Sequence, residues 1–177
     1  MPPQVIGHPA SKACYLRLRG LFFLCTFIAL LIVPATTHSS LRQVAIIVHP
    51  ENNVSNLSRS ELERIFHLRR QRWSDGQRIY LLMQEEGSVA KDIVLRKIYH
   101  MRSDELKRFW LAKIYRGEMI SFPKSFQSDE SVRRFVSLVR NSIGFIDASH
   151  SQRSVKVLRI DRLLPGQEGY LLTLESE

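Results

Sequence analysis

Beyond residue 25 the chain contains no cysteine, because Cys14 and Cys25 are its only two. Residues 36–177 therefore have no disulfide framework and no thiol chemistry. Catalytic signatures are missing as well. There is no Gly-x-Ser-x-Gly elbow, no Walker loop and no His-Glu-x-x-His. His38, His49, His67, His100 and His150 are scattered, with no pair at helical metal-ligand spacing. These absences exclude the usual hydrolase and metalloenzyme arrangements, and no cofactor, metal or enzymatic activity is expected. Internal repeats, low-complexity tracts and heptads are also lacking.

Acidic side chains are absent from residues 1–35, where Lys12, Arg17 and Arg19 precede an apolar run of 13 residues, Leu21 to Val33. That order reads as a secretion signal. The run fits a signal core and falls short of the about 20 residues needed to span a bilayer. Val33-Pro34-Ala35 places small or short side chains for cleavage after Ala35, and Thr37-His38-Ser39 offers a second cut. An uncleaved anchor is the alternative. No small residues lead into Cys25, which argues against lipoprotein attachment.

Removing residues 1–35 leaves 142 residues, 36 to 177, enough for one ordinary domain. Three of the 26 basic side chains fall in the leader, so the remainder carries 23 basic and 17 acidic groups, a net of +6. Such a surface favours phosphate groups, acidic glycans or anionic lipid heads. Export makes nucleic acid a poor partner.

Gln43 to His49 reads as a buried strand closed by Pro50. Ser58-Arg59-Ser60-Glu61 forms a capping box for a helix with Leu62, Ile65 and Phe66 inward. Asp75-Gly76 signals a turn, and Arg78 to Met83 is a second strand. Ser88 caps a helix burying Val89, Ile93, Val94 and Ile98. A third helix starts at Ser103-Asp104-Glu105 and stops at Gly117; a fourth opens at Ser128-Asp129-Glu130. Strands are expected at Ile143–Ile146, Val155–Ile160 and Tyr170–Leu174. Strands alternating with helices predict a layered α/β domain with a largely parallel sheet.

The strand–loop–helix junction around Gly87, Ser88 and Val89 is the candidate anion site. A helix start points free amides outward at the positive end of its dipole, and Gly87 lets the chain approach a ligand closely. The alternative is that Ser88 merely caps its own helix. Arg69, Arg70 and Arg72, ahead of Trp73, form a candidate docking patch for an acidic or phosphate-bearing partner, or else a solvated helix end with Trp73 packed inward. Arg133 and Arg134 read as a wet helix face.

Leu57-Ser58-Arg59-Ser60-Glu61-Leu62, Ile65-Phe66 and the run Arg69 to Gly76 resemble the L-S-x-x-E-L…I-F…W-x-D-G stretch of phosphate-type periplasmic solute-binding proteins of ABC transporters. Ile46-Ile47-Val48-His49-Pro50 is similar to that family's V-V-V-N-P strand, Glu86-Gly87-Ser88 to its acidic-Gly-Ser ligand loop, and Ser142-Ile143-Gly144-Phe145 to its A-I-G-Y strand. Val155 to Asp161 resembles the return segment, so the match runs over about residues 43 to 162. The resemblance implies a single lobe of a type II periplasmic-binding-protein-like fold, a mostly parallel sheet flanked by helices, and a periplasmic location with the leader meeting the inner membrane. It also implies phosphate or another small anion as ligand. The departures weaken that ligand reading. The family's usual Arg-x-Asp-Gly-Ser-Gly-Thr reads here Gln84-Glu85-Glu86-Gly87-Ser88-Val89-Ala90, and Leu68 replaces the glycine of I-F-x-G. The alternative is a protein-interaction or sensor-accessory module of the envelope, docking a protein partner.

Overall fold

Alternation decides which way each strand's side chains face. In β1 (Arg42–Val48), Val44, Ile46 and Val48 enter one hydrophobic cluster while Ala45 and Ile47 enter another. A strand buried on both faces needs a layer of structure on each side. β3 (Tyr80–Gln84) repeats the pattern, with Leu81 and Met83 in the first cluster and Leu82 in the second. Burying each such aliphatic side chain contributes about 1.5–3 kcal/mol. The computed structural model describes residues 41–174, so the leader and its cleavage points lie outside the described residues.

The first face is covered by α1 (Arg59–Phe66), α2 (Val89–Val94) with a π-helical extension Leu95–Tyr99, and α3 (Ser103–Tyr115). The second is covered by α4 (Asp129–Leu138) through Val132 and Val136. The capping box at Ser58 is present: the Glu61 amide donates to Ser58 Oγ at 3.3 Å, and the Ser58 amide donates to the Glu61 carboxylate at 3.0 Å. Ser88 and Ser128 cap α2 and α4 as expected, and Gly117, with φ +71°, lies just past the end of α3.

The remaining strands are β2 (Asn56–Leu57), β4 (Lys124–Phe126), β5 (Ser142–Asp147), β6 (Lys156–Val157), β7 (Arg159–Ile160) and β8 (Thr173–Leu174). The main sheet has the order β4-β3-β5-β1-β6, with β8 also on β1. The expected parallel arrangement holds for β4, β3 and β5, whose connections run through helices. It needs correcting at β1, which is antiparallel to β5, β6 and β8 and makes the sheet mixed. β1 lies between β5 and β6, which run the same way as each other and opposite to β1, so the parallel order breaks where β1 is inserted. The single strand expected at Val155–Ile160 is split. Lys156–Val157 pairs with β1, Leu158 is buried in the core, and Arg159–Ile160 pairs in parallel with β2.

Gly144 sets how closely α4 approaches the sheet. A Cβ at this position would meet Val132 Cγ1 at 2.8 Å and Val136 Cγ2 at 3.5 Å. Gly144→Ala is therefore expected to lower unfolding free energy by about 1–3 kcal/mol in denaturant titration, with α4 pushed off β5. An unchanged midpoint would mean that α4 does not pack this tightly.

Candidate functional site

Because β3, β4 and β5 are parallel, their carboxyl ends share one edge of the sheet, marked by Gln84, Phe126 and Asp147. In open α/β sheets this edge is the usual ligand-binding crevice. Two helices begin there. Ser88 caps α2 after the loop Glu85-Glu86-Gly87, and Ser128 caps α4 directly after β4 and Gln127. The third strand, β5, ends in a 3-10 turn, Ala148–His150.

Gln84 joins these parts. It shares the α4-facing parity of Leu82, so its side chain turns toward the start of α4, and it is only 2 % exposed. Its Oε1 accepts from the Ser88 hydroxyl, and its Nε2 donates to Asp129 Oδ1 and to the Phe145 carbonyl at 3.1 Å. An ionised carboxylate only accepts, so Asp129 fixes which way the amide points. Asp129 Oδ2 in turn accepts from the Asp147 amide at 3.1 Å and from His150 Nδ1 at 2.6 Å. One carboxylate thus receives a side-chain amide, a backbone amide and an imidazole. That donor set is what an oxyanion would seek, and here it is spent on Asp129.

The sequence-predicted residues are placed unevenly. Ser88 belongs to this network, and its hydroxyl also accepts from the Lys91 amide at 3.4 Å. The Val89 and Ala90 amides precede the first intrahelical bond, from Asp92 N to Ser88 O at 3.1 Å. Val89 is half-buried rather than fully inward. Gly87 has φ +87° and open space around a would-be Cβ, so backbone conformation requires the glycine, not close packing. A polar hollow of about 400 Å³ lies at the same edge, lined by Ser128, Asp129, Glu130, Arg133, Ser149, His150 and Gln152. Gly87, Ser88 and Val89 do not line it.

Arg133 is not a wet-face residue. It is buried, paired with Glu130 and within 3.5 Å of the His150 carbonyl. Arg69, Arg70 and Arg72 lie elsewhere, beyond the end of α1. Arg70 pairs with Glu61 at 3.0 Å, Arg72 donates to the Gly76 carbonyl at 2.8 Å, and Arg69 is exposed. Trp73 packs inward as expected, its indole donating to the Asn141 carbonyl at 3.2 Å.

Sequence reading missed Asp129 and His150 as site residues. Asp129 looked like an ordinary first-turn acid, and His150 lies 21 positions away with no motif between them. The usable signal was the arginine-to-glutamine change at Gln84, which removes a cation and demands a buried partner for an amide.

The hydrogen bond that His150 donates to Asp129 raises its pKa above the ordinary 6.5, opposed by burial, aided by the charges of Asp129 and Asp147 and opposed again by Arg133. A histidine whose folded pKa is raised holds its proton more tightly in the native state. Its stabilising contribution is complete below about pH 6.5 and is lost as pH rises through the raised value. The melting temperature is accordingly expected to fall as pH rises from about 6 to about 8, and Asp129→Asn should flatten that slope. An unaltered slope in the variant would contradict the pairing.

No family model and no curated protein sequence matches the chain. Similar solved structures include an ABC-type phosphate transport receptor from Vibrio cholerae, at 20 % identity and TM-score 0.61, covering 75 % of this chain and 54 % of that one. PstS from Borrelia burgdorferi is similar at 17 % identity and TM-score 0.61, covering 76 % and 55 %. A phosphate binding protein from Stenotrophomonas maltophilia follows at 12 % identity and TM-score 0.53, covering 72 % and 41 %. The chain spans about half the length of the solved structures it matches. These neighbours are binding proteins rather than enzymes. The α/β domain of this chain has the fold of phosphate ABC transporter substrate-binding proteins.

Proposed function

We propose that this chain is an exported, periplasmic solute-binding-like domain of the phosphate-transport kind. It takes a small oxyanion weakly at the crevice where α2 and α4 begin, or serves as an accessory to such transport. The observation that carries the reading is the convergence of two capped helix starts on one buried amide, in a fold shared with phosphate-binding proteins. The positive ends of the two helices and the Val89 and Ala90 amides favour an anion near Gly87, Ser88 and Val89. The leader, residues 1–35, supplies the export.

Electrostatics sets the strength. Asp129 already occupies the donors of Gln84, Asp147 and His150, and Glu85 and Glu86 add exposed carboxylates beside Gly87. A like charge at this distance repels an arriving phosphate, and removing the family's arginine forfeits about 1.5–3 kcal/mol of charge-assisted hydrogen bonding. Affinity should therefore lie near millimolar rather than the micromolar range of an uptake receptor.

Calorimetric titration of the full chain with phosphate at low salt checks this. Wild type is expected to bind at about millimolar strength, Asp129→Asn to bind about tenfold tighter, and Ser88→Ala to bind more weakly. Asp129→Asn keeps an acceptor for Gln84 while deleting the charge. No heat from either wild type or Asp129→Asn, with both folded, would overturn anion binding at this crevice.

A further inference from the structure

On the other side of the molecule an apolar groove of about 420 Å³ opens where the sheet edge is incomplete. β4 begins opposite Leu82, so the first two residues of β3, Tyr80 and Leu81, have no partner strand on that side. Ile65, Ile79 and Leu81, all core residues, form the floor. The loop between α3 and β4 forms a wall through Met119, Ile120 and Phe122. Ile120 is 87 % exposed, Tyr80 50 % and Phe122 42 %, so large apolar surface meets water. Exposed apolar groups grouped around a hollow are the mark of an interaction surface.

The rim is cationic. Arg78 and Lys124 border the groove and form no ion pair among the described residues, while Arg70, also in the lining, is paired with Glu61. Lys124 Nζ lies 4.8 Å from the Phe135 ring centre, which holds its charge over the groove's edge. The one acid in the lining, Glu118, is neutralised by Lys113 at 2.5 Å and Arg116 at 2.6 Å.

We propose that this groove docks an extended, acidic segment of a partner protein that carries large apolar side chains. The apolar residues fill the hollow, the carboxylates meet Arg78 and Lys124, and the segment lies along the unpaired start of β3. Charge selects this occupant over the others. A second copy of the domain is itself net basic at +6, and residues 1–35 carry basic groups and no acid, so neither brings a net acidic charge to the rim. A flat bilayer would not fill a concavity of about 420 Å³. The inference is independent of anion binding at the crevice.

The test is fluorescence anisotropy of the full chain with short synthetic peptides alternating Asp or Glu with Leu or Phe. Controls replace the acids by Lys or the apolar residues by Ser. The acidic–apolar peptide is expected to bind at least about tenfold more tightly than either control, and Ile120→Asp or Arg78→Glu to weaken it about tenfold. Both positions are exposed, so the fold is kept, and phosphate titration of the same variants should be unchanged. Failure of the acidic–apolar peptide to bind, or binding indifferent to both substitutions, would overturn the proposal. So would sedimentation showing a dimer that Ile120→Asp dissolves, or anionic phosphatidylglycerol vesicles bound in place of the peptide.

Discussion

Gln84 is the point at which the central sheet, two helix starts and the terminal turn of β5 are tied together. A primary amide buried at the end of a strand has two donors and an acceptor to satisfy, and leaving one unmet costs about 1–3 kcal/mol. Ser88, Asp129 and the Phe145 carbonyl satisfy all three positions. The arrangement locks α2 and α4 to the sheet at fixed depth, and Gly144 removes the side chain that would otherwise keep α4 away. Everything at the carboxyl edge, including the position of the Asp129 carboxylate and its hold on His150, follows from that fixed geometry.

The same network underlies the weak anion binding proposed for this crevice. Helix starts in such folds present donors to an incoming anion. In this chain the Asp129 carboxylate takes the donors of Gln84, Asp147 and His150, so an anion arriving at the Val89 and Ala90 amides meets a resident negative charge. Two cations without ion-pair partners among the described residues, Arg78 and Lys124, border the apolar groove beside β3 and β4. The crevice is lined by polar and mutually paired charged groups and the groove by apolar ones, which separates the two chemically.

Much of the fold was legible in local chemistry. The capping serines at 58, 88 and 128, the alternation in β1 and the helical spacing of Leu62, Ile65 and Phe66 each arise from interactions within a few residues. Strand direction was not legible at β1, because its antiparallel partners β5, β6 and β8 follow about a hundred residues later. β2 and β4 were missed because strands of two and three residues have no periodicity long enough to register. At the site, Gly87 and Ser88 were visible through their motif, while Asp129 and His150 were not. Their roles depend on β4, β3 and β5 ending at one edge of the sheet, which no spacing within one segment encodes.

The most direct test of the account is a double-mutant cycle on the bond that organises the crevice, with unfolding free energies measured for wild type, Gln84→Met, Asp129→Ala and the double variant. A buried amide and its carboxylate partner should couple by at least about 1 kcal/mol, so the double variant should be less damaged than the sum of the single losses. Losses that add to within about 0.3–0.5 kcal/mol would show that Gln84 and Asp129 act separately, and the crevice would not be held as described.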